Sequence, residues 1–376
     1  VWEALDHAGK PLCDRDRRLR VLARQAYCFV GSGRPTLVEL GERQFRYAMD
    51  HGFCAQSDRL AAVFDSHLNI RHAPHDLYDL AFMLLAASAL LAQGRLRADD
   101  LPRLEAALGV LKAGCGWFET MDQALPRRQN PHMHLFEAAT ELYHITGAPR
   151  FLAIAEECHD LFSTLFLQKD GRILEHYDAG LQPLTGARQS VEPGHMAEWI
   201  YLLHRYQQVT GRSPGSVPER LFAAVQCHRT ESGFLPDRAD PRVATRRLWP
   251  QLEYLRAAAV MRQRGHTLDL RDTPEQIMSR IARDYLDKAV PGGWFDRCDA
   301  RGKVISSVMP ASSPLFRSAL PLSKASTQSR RPLAQAQSKL SHIRCNSTRG
   351  GSSSRNPCAG KHNIPVDPGL GSIVGH

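Results

Sequence analysis

The chain has 376 residues, 43% hydrophobic and 23% charged, the balance of a globular protein long enough for one large core or two ordinary ones. No run approaches the roughly 18 apolar residues of a membrane span. The formal net charge of +9 invites a nucleic-acid reading, but residues 313–376 hold nine Lys/Arg against Asp367 alone. Residues 1–312 are left near +1, without the basic stripe that a phosphate backbone selects.

Val1 opens inside what reads as a structured segment, with no secretory signal in view. Nine cysteines fall at 13, 28, 54, 115, 158, 227, 298, 345 and 358, with no CxxC pair and an odd count. They are expected as free thiols in a cytoplasmic protein, and their spacing supports no zinc site.

In chain order, an extended piece at 2–5 runs into an Asp/Gly-type turn at 6–9. A polar and aromatic segment at 23–27 then opens an apolar-rich helix. The same plan returns at 76–82, 129–137, 192–199 and 248–253. From Arg24 the markers Tyr78, Asn130, His195 and Trp249 follow at steps of 54, 52, 65 and 54 residues. Gly94, Gly147, Gly211 and Gly265 close the helices that these segments begin, glycine past the last apolar turn being the usual stop. Further helices with a 3.6-residue apolar period occupy 101–111, 151–166, 218–227 and 274–286. Two more extended pieces, 173–177 and 294–297, lead into Asp/Gly turns at 178–180 and 299–302. The repeated unit is an outer helix, a hairpin and an inner helix, and five or six units make a closed ring or superhelix of helix pairs. A sixth inner helix falls due near 304–314. There Met309, Pro310, Ala311 and Ser312 are followed by 12 serines with scattered Pro and Gly, a composition unable to order itself. We therefore divide the chain into a 1–312 domain and a basic, Ser-rich 313–376 tail, disordered or frame-shifted.

Asn130, His134, Glu137 and Glu141 lie at i, i+4, i+7 and i+11, one polar stripe on an otherwise apolar helix. His195 and Glu198 are i, i+3; Trp249 and Glu253 are i, i+4; Arg24 and Tyr27 are i, i+3. These three pairs stand in the first turn or two of their helices. Several helix N-termini, with free N–H groups and partial positive charge, therefore converge on one aromatic-walled pocket suited to a polyhydroxylated ligand that becomes anionic. His132 is expected to pack or cap, and His51, His67, His72 and His75 to be solvated. Trp2, Phe234 and Trp294 are expected in the core.

Four motifs carry a resemblance: Arg-Gln-Asn-Pro-His-Met-His-Leu-Phe-Glu at 128–137, Glu-Pro-Gly-His-x-x-Glu-Trp at 192–199, Leu-Trp-Pro-Gln-x-Glu at 248–253 and Gly-Gly-Trp-x-Asp at 292–296. In this order they resemble the N-acylglucosamine 2-epimerase superfamily, with its mannose isomerases, mannose-6-phosphate isomerase-like proteins and cellobiose 2-epimerases. The resemblance implies an all-α (α/α)6 barrel with short β-hairpins in its loops, here incomplete at both ends. It places the sugar-contacting arginine at Arg24, a cavity tyrosine at Tyr78, and the paired asparagine and histidine at Asn130 and His134. It makes His195 and Glu198 the catalytic pair and Trp249 and Glu253 substrate neighbours, with Arg188 as a further sugar-binding arginine. The family's second catalytic histidine follows its Met-Pro-Ala-Ser segment; none matches here, and His342 and His362 are not assigned.

The implied chemistry removes the proton beside a sugar carbonyl to give a cis-enediolate, returned on C2 or C1. Histidine serves that at neutral pH without a cofactor or metal. His195 is expected to be an acid/base, oriented by Glu198 or Glu253. The substrate is a monosaccharide or sugar phosphate, with neither nucleic acid nor membrane as partner and with a homodimer as the assembly. Two alternatives stay open: an (α/α)6 glycoside hydrolase working through paired carboxylates, and an inactive, truncated family member.

Overall fold

The computed structural model describes residues 3–291 and 293–310. Trp2 and residues 311–376, including the 313–376 tail and the last four positions of the 304–314 span, lie outside the described residues.

Among the described residues, five inner helices, α1 (Leu19–Gly31), α3 (Leu77–Ala92), α5 (Gln129–Thr146), α7 (Pro193–Thr210) and α9 (Leu248–Gln263), alternate with five outer ones. The outer helices are α2 (Pro35–His51), α4 (Asp100–Val110), α6 (Pro149–Leu161), α8 (Val217–Cys227) and α10 (Pro274–Ile281). Each inner helix packs on the next, α1 to α3 to α5 to α7 to α9, and each carries its own outer helix. This is the expected ring of helix pairs. The inner helices are buried almost all round, as α3 shows with Leu77, Leu80 to Ala87 and Leu90 all buried, whereas α2 and α10 are amphipathic and face out. Phe234 and Trp294 are core residues, as expected. Helix stops behave as read: Gly147 and Gly211 cap α5 and α7 at φ +65° and +76°, where a Cβ would be strained. α6 and α10 each run on into a single π-helical stretch, Phe162–Phe166 and Ala282–Leu286, two units apart in the ring.

Among the described residues, nine short strands join the units at the N-terminal ends of the inner helices. β1 (Ala4–Leu5) pairs antiparallel with β9 (Met309–Pro310), bringing the two ends of the described chain together. β2 (Arg17–Arg18) pairs with β3 (Val63–Phe64), which pairs with β4 (Ile70–His72). β5 (Arg127–Arg128) pairs with β6 (His176–Tyr177), and β7 (Arg246–Arg247) with β8 (Arg297–Cys298).

An Arg-Arg strand thus precedes α1, α5 and α9, every second inner helix. In each pair the first arginine donates to carbonyls of the neighbouring hairpin: Arg17 to Ser66, Arg127 to Cys115 and Trp117, and Arg246 to Asp299. The backbone N–H of the second donates to a carboxylate, Arg18 to Glu3, Arg128 to Glu119 and Arg247 to Asp237. These carboxylates satisfy helix-start donors that would otherwise be orphaned, and so hold the mouth of the ring in a three-fold pattern.

Of the described cysteines, Cys28, Cys54, Cys115, Cys158, Cys227 and Cys298 carry free thiols.

Candidate functional site

α7 begins where Glu192 is extended and Pro193 occupies the first helical turn, a position that costs no hydrogen bond. Gly194 follows because nothing larger fits. A Cβ there would lie 2.5 Å from the Trp249 ring. That close approach seats Trp249 against His195, ring centroids 4.9 Å apart.

His195 is buried, and its Nδ1 lies 2.9 Å from Glu175 Oε1. Glu192 stands 3.8 Å from the same nitrogen. Burial pulls the imidazole pKa down, but the charges of Glu175, Glu192 and Glu198 outweigh it and raise it to about 10. The orienting partner is therefore neither Glu198 nor Glu253, contrary to the expectation from sequence. Glu175 comes from the hairpin 20 residues upstream, where β6 brings it over the α7 N-terminus. Glu253 is buried and engaged one turn along its own helix by Arg256, at 2.7 Å. Glu198 adds its charge to His195 from the same helix, and its carboxylate also lies 3.9 Å from His134 Nδ1.

α5 supplies the next wall. His134 is buried, 3.5 Å from Glu137 and edge-on to the Tyr78 ring at 5.0 Å. Asn130, one turn earlier, has its buried Oδ1 without a hydrogen-bond partner among the described residues. At the far end of the same stripe Glu141 accepts from Nε and Nη2 of Arg205. From α1, Arg24 donates to the Tyr78 hydroxyl and lies 4.0 Å over the Phe82 ring. Its Nε is also buried without a partner among the described residues. Arg24, Tyr78 and His134 thus stand together with Asn130 one turn below, and α7, which carries His195 against Trp249, adjoins them through Glu198.

One nitrogen of His134 and one oxygen each from Glu137 and Glu198 lie within 4.8 Å of one another. This donor set has the chemistry to accept a divalent cation.

Three other residues stand apart from the cluster. Arg188 is exposed on the 3-10 turn Gly186–Arg188, and among the described residues no hydrogen bond or ion pair ties it to the cavity. His132 packs as expected: Nδ1 meets the Arg128 carbonyl at 2.9 Å and Nε2 accepts from the Trp117 N–H. Burial drives its pKa down to about 4. His75 corrects its reading as solvated. It is buried, accepting from Leu60 N–H at Nδ1 and meeting the Ala107 carbonyl at Nε2.

Sequence reasoning missed Glu175 and its supports, Gln129 and Trp199. The available signal was a single acid inside an otherwise apolar and aromatic extended segment, followed by a turn. The Arg-Arg pairs were likewise visible, 110 and 119 residues apart, twice the unit spacing.

Residues 1–318 match the family described as N-acylglucosamine 2-epimerase (GlcNAc 2-epimerase). The chain is 31% identical over 350 residues to a mannose-6-phosphate isomerase of Rhizobium meliloti (strain 1021), covering 83% of this chain and 86% of that one. It is 28% identical over 293 residues to a D-mannose isomerase of Thermobifida fusca, covering 66% and 70%. The cellobiose 2-epimerase of Bacillus thermoamylovorans B4167 superposes with a TM-score of 0.74 at 15% identity, over 86% of this chain and 92% of that one. That last likeness speaks for the (α/α)6 fold alone.

Proposed function

The chain belongs to the N-acylglucosamine 2-epimerase family, and from that premise we propose that it interconverts an aldose of mannose configuration and its ketose through a cis-enediol. Its class is that of the carbohydrate isomerases and epimerases. The observation that carries the finer reading is the 2.9 Å contact of His195 with Glu175. Because Glu175 occupies Nδ1, the other ring nitrogen is left for the substrate and Glu198 is released from the task of orienting the ring.

Glu198 takes the proton from C2 while the His195 imidazolium gives its Nε2 proton to the carbonyl oxygen at C1. The enediol forms without a full negative charge. The neutral His195 then takes the O2 proton, and Glu198 returns its own proton to C1. The carbonyl now stands at C2, and both side chains are restored. This route keeps the carbon-bound proton on one face of the sugar. Epimerisation at C2 needs delivery to the opposite face and hence a second group. Arg24, Asn130 and His134 hold the hydroxyls and the polarised oxygen, with Tyr78 and Trp249 as apolar walls for the ring.

Arg24 Nε and Asn130 Oδ1, buried and open to a partner among the described residues, have the donor and acceptor character that a sugar hydroxyl matches. The test is product analysis by NMR with mannose, mannose 6-phosphate, glucose, fructose and N-acetylmannosamine. Fructose or its 6-phosphate from the mannose sugars is expected. Glucose appearing ahead of any ketose would replace isomerisation by 2-epimerisation.

A further inference from the structure

Behind His195 runs a chain of hydrogen bonds whose direction is forced by its first member. Trp199 Nε1 lies 3.0 Å from Gln129 Oε1. Gln129 Nε2 lies 2.9 Å from Glu175 Oε2. Glu175 Oε1 lies 2.9 Å from His195 Nδ1. All four side chains are buried, with Trp199 and Gln129 at 0% exposure, Glu175 at 3% and His195 at 6%.

An indole N–H can only donate. It therefore turns the amide oxygen of Gln129 towards Trp199 and the amide N–H towards Glu175. Glu175 Oε2 must accept from that side, which leaves Oε1 to meet His195. Its second oxygen then accepts from His195, which places a proton on Nδ1 and presents Nε2 to the cavity. The indole is in turn locked by packing, its ring stacked on Phe162 at 4.1 Å and against Phe136 at 5.3 Å. The backbone carries the same clamp: Gln129 N–H donates to the Glu175 carbonyl, and Glu175 N–H is met by Ser190 O and Gln189 Oε1.

We infer that Glu175, Gln129 and Trp199 form a positioning relay that keeps His195 as a resting imidazolium, so that it enters each turnover as the proton donor. The inference deepens the proposed isomerase mechanism and rests on His195 acting in it. The groups facing His195 are Glu175 and His176 from the hairpin, Glu192 at the helix start and Glu198 on its own helix, with Trp249 as an uncharged wall. Arg238 and Arg247 in turn face Glu192. Among these, Glu175 alone makes a hydrogen bond to Nδ1 at normal length. Removing its charge should therefore move His195 more than removing Glu192.

The experiment uses the full chain and two readouts. His195 is titrated by nitrogen-15 NMR in the wild type, Glu175→Gln, Glu192→Gln and Trp199→Phe, and kcat and KM are measured across pH on the sugar that proves active. Glu175→Gln should lower the His195 midpoint by at least two pH units and move the alkaline limb of kcat/KM down with it. Glu192→Gln should move the midpoint by less than one. Trp199→Phe removes the donor and keeps an aromatic ring, at the cost of volume in a buried site that the thermal melt reads separately; it should lower kcat about threefold to tenfold with KM unchanged. Thermal melts separate unfolding from repositioning, and Trp199→Phe stands in if Glu175→Gln does not fold. A His195 midpoint unmoved by Glu175→Gln overturns the relay whatever the activity does. A midpoint that moves while the kcat/KM profile stays put leaves the relay standing and overturns the role of His195 in turnover.

Discussion

His132 and His195 each sit near the start of an inner helix, each is buried, and each lies against aromatic rings. Yet their charge states are opposed, with pKa values of about 4 and about 10. Burial pushes both in the same direction. What differs is the class of partner: His132 meets a backbone carbonyl and a backbone N–H, with Arg127 and Lys112 nearby. His195 meets three carboxylates. A wall built from main-chain groups fixes a neutral imidazole as packing, and one built from carboxylates stores a proton. The position of a histidine on a helix therefore says little about its chemistry until the loops facing it are known.

The comparison is broken most directly by exchanging each imidazole for an amide. His195→Gln should lower turnover by a factor of about 10³ or more, the scale of a lost acid/base. His132→Gln should leave turnover per folded molecule within about threefold, while costing about 1–3 kcal/mol of stability by leaving a buried donor or acceptor unpaired. Equal losses of turnover from both would erase the distinction.

Stability against pH separates them without any substrate. The folded pKa of His195 is raised above the ordinary 6.5 to about 10. Its contribution is present in full below about pH 6.5 and disappears as pH climbs through about 10. For His132 the folded value is lowered to about 4, so its contribution is present above about pH 6.5 and fades as pH falls towards 4. Thermal melts should show His195→Gln flattening the alkaline side of the stability curve and His132→Gln the acid side.

Gly194→Ala tests the seat of the ring. Its Cβ would meet Trp249 at 2.5 Å, displacing the indole from His195, and kcat should fall about tenfold with the fold retained. Gly116→Ala is the matching change beside His132, where the new Cβ would meet Nε2 at 2.8 Å on a backbone at φ +64°. It should lower the melting temperature and spare kcat. The smallest effect is expected for Arg188→Ala. This exposed residue should alter kcat/KM by less than about twofold; a tenfold rise in KM would return it to the sugar.

Much of this architecture was legible in the residues themselves. The regular return of a polar first turn ahead of an apolar helix marks α1, α3, α5, α7 and α9, because a helix buried on nearly every side can carry polar groups only where its end opens on a cavity. The glycines at 147 and 211 mark their helix ends because a left-handed residue is needed there. The pairing of His195 was not legible. Glu198 is its helical neighbour by spacing, but Glu175 is placed by the β5–β6 pairing of Arg127 with Tyr177 and Arg128 with His176, a long-range contact that no helical period encodes. For the same reason Glu253 looked free for His195, when Arg256 one turn on neutralises it. His75 looked solvated in polar loop sequence, although its ring bridges Leu60 and Ala107 within the fold.

The central claim is that His195 and Glu198 move protons on a mannose-type sugar. The purified chain should be incubated with D-mannose, and separately with mannose 6-phosphate, in deuterated water and followed by proton NMR, with His195→Gln beside it. The account predicts that the ketose forms, that deuterium enters its C1 position to the extent that Glu198 exchanges with solvent, and that the variant does neither at a measurable rate. Sugar left unchanged by the folded wild-type chain, or the same ketose formed equally fast by His195→Gln, would contradict it.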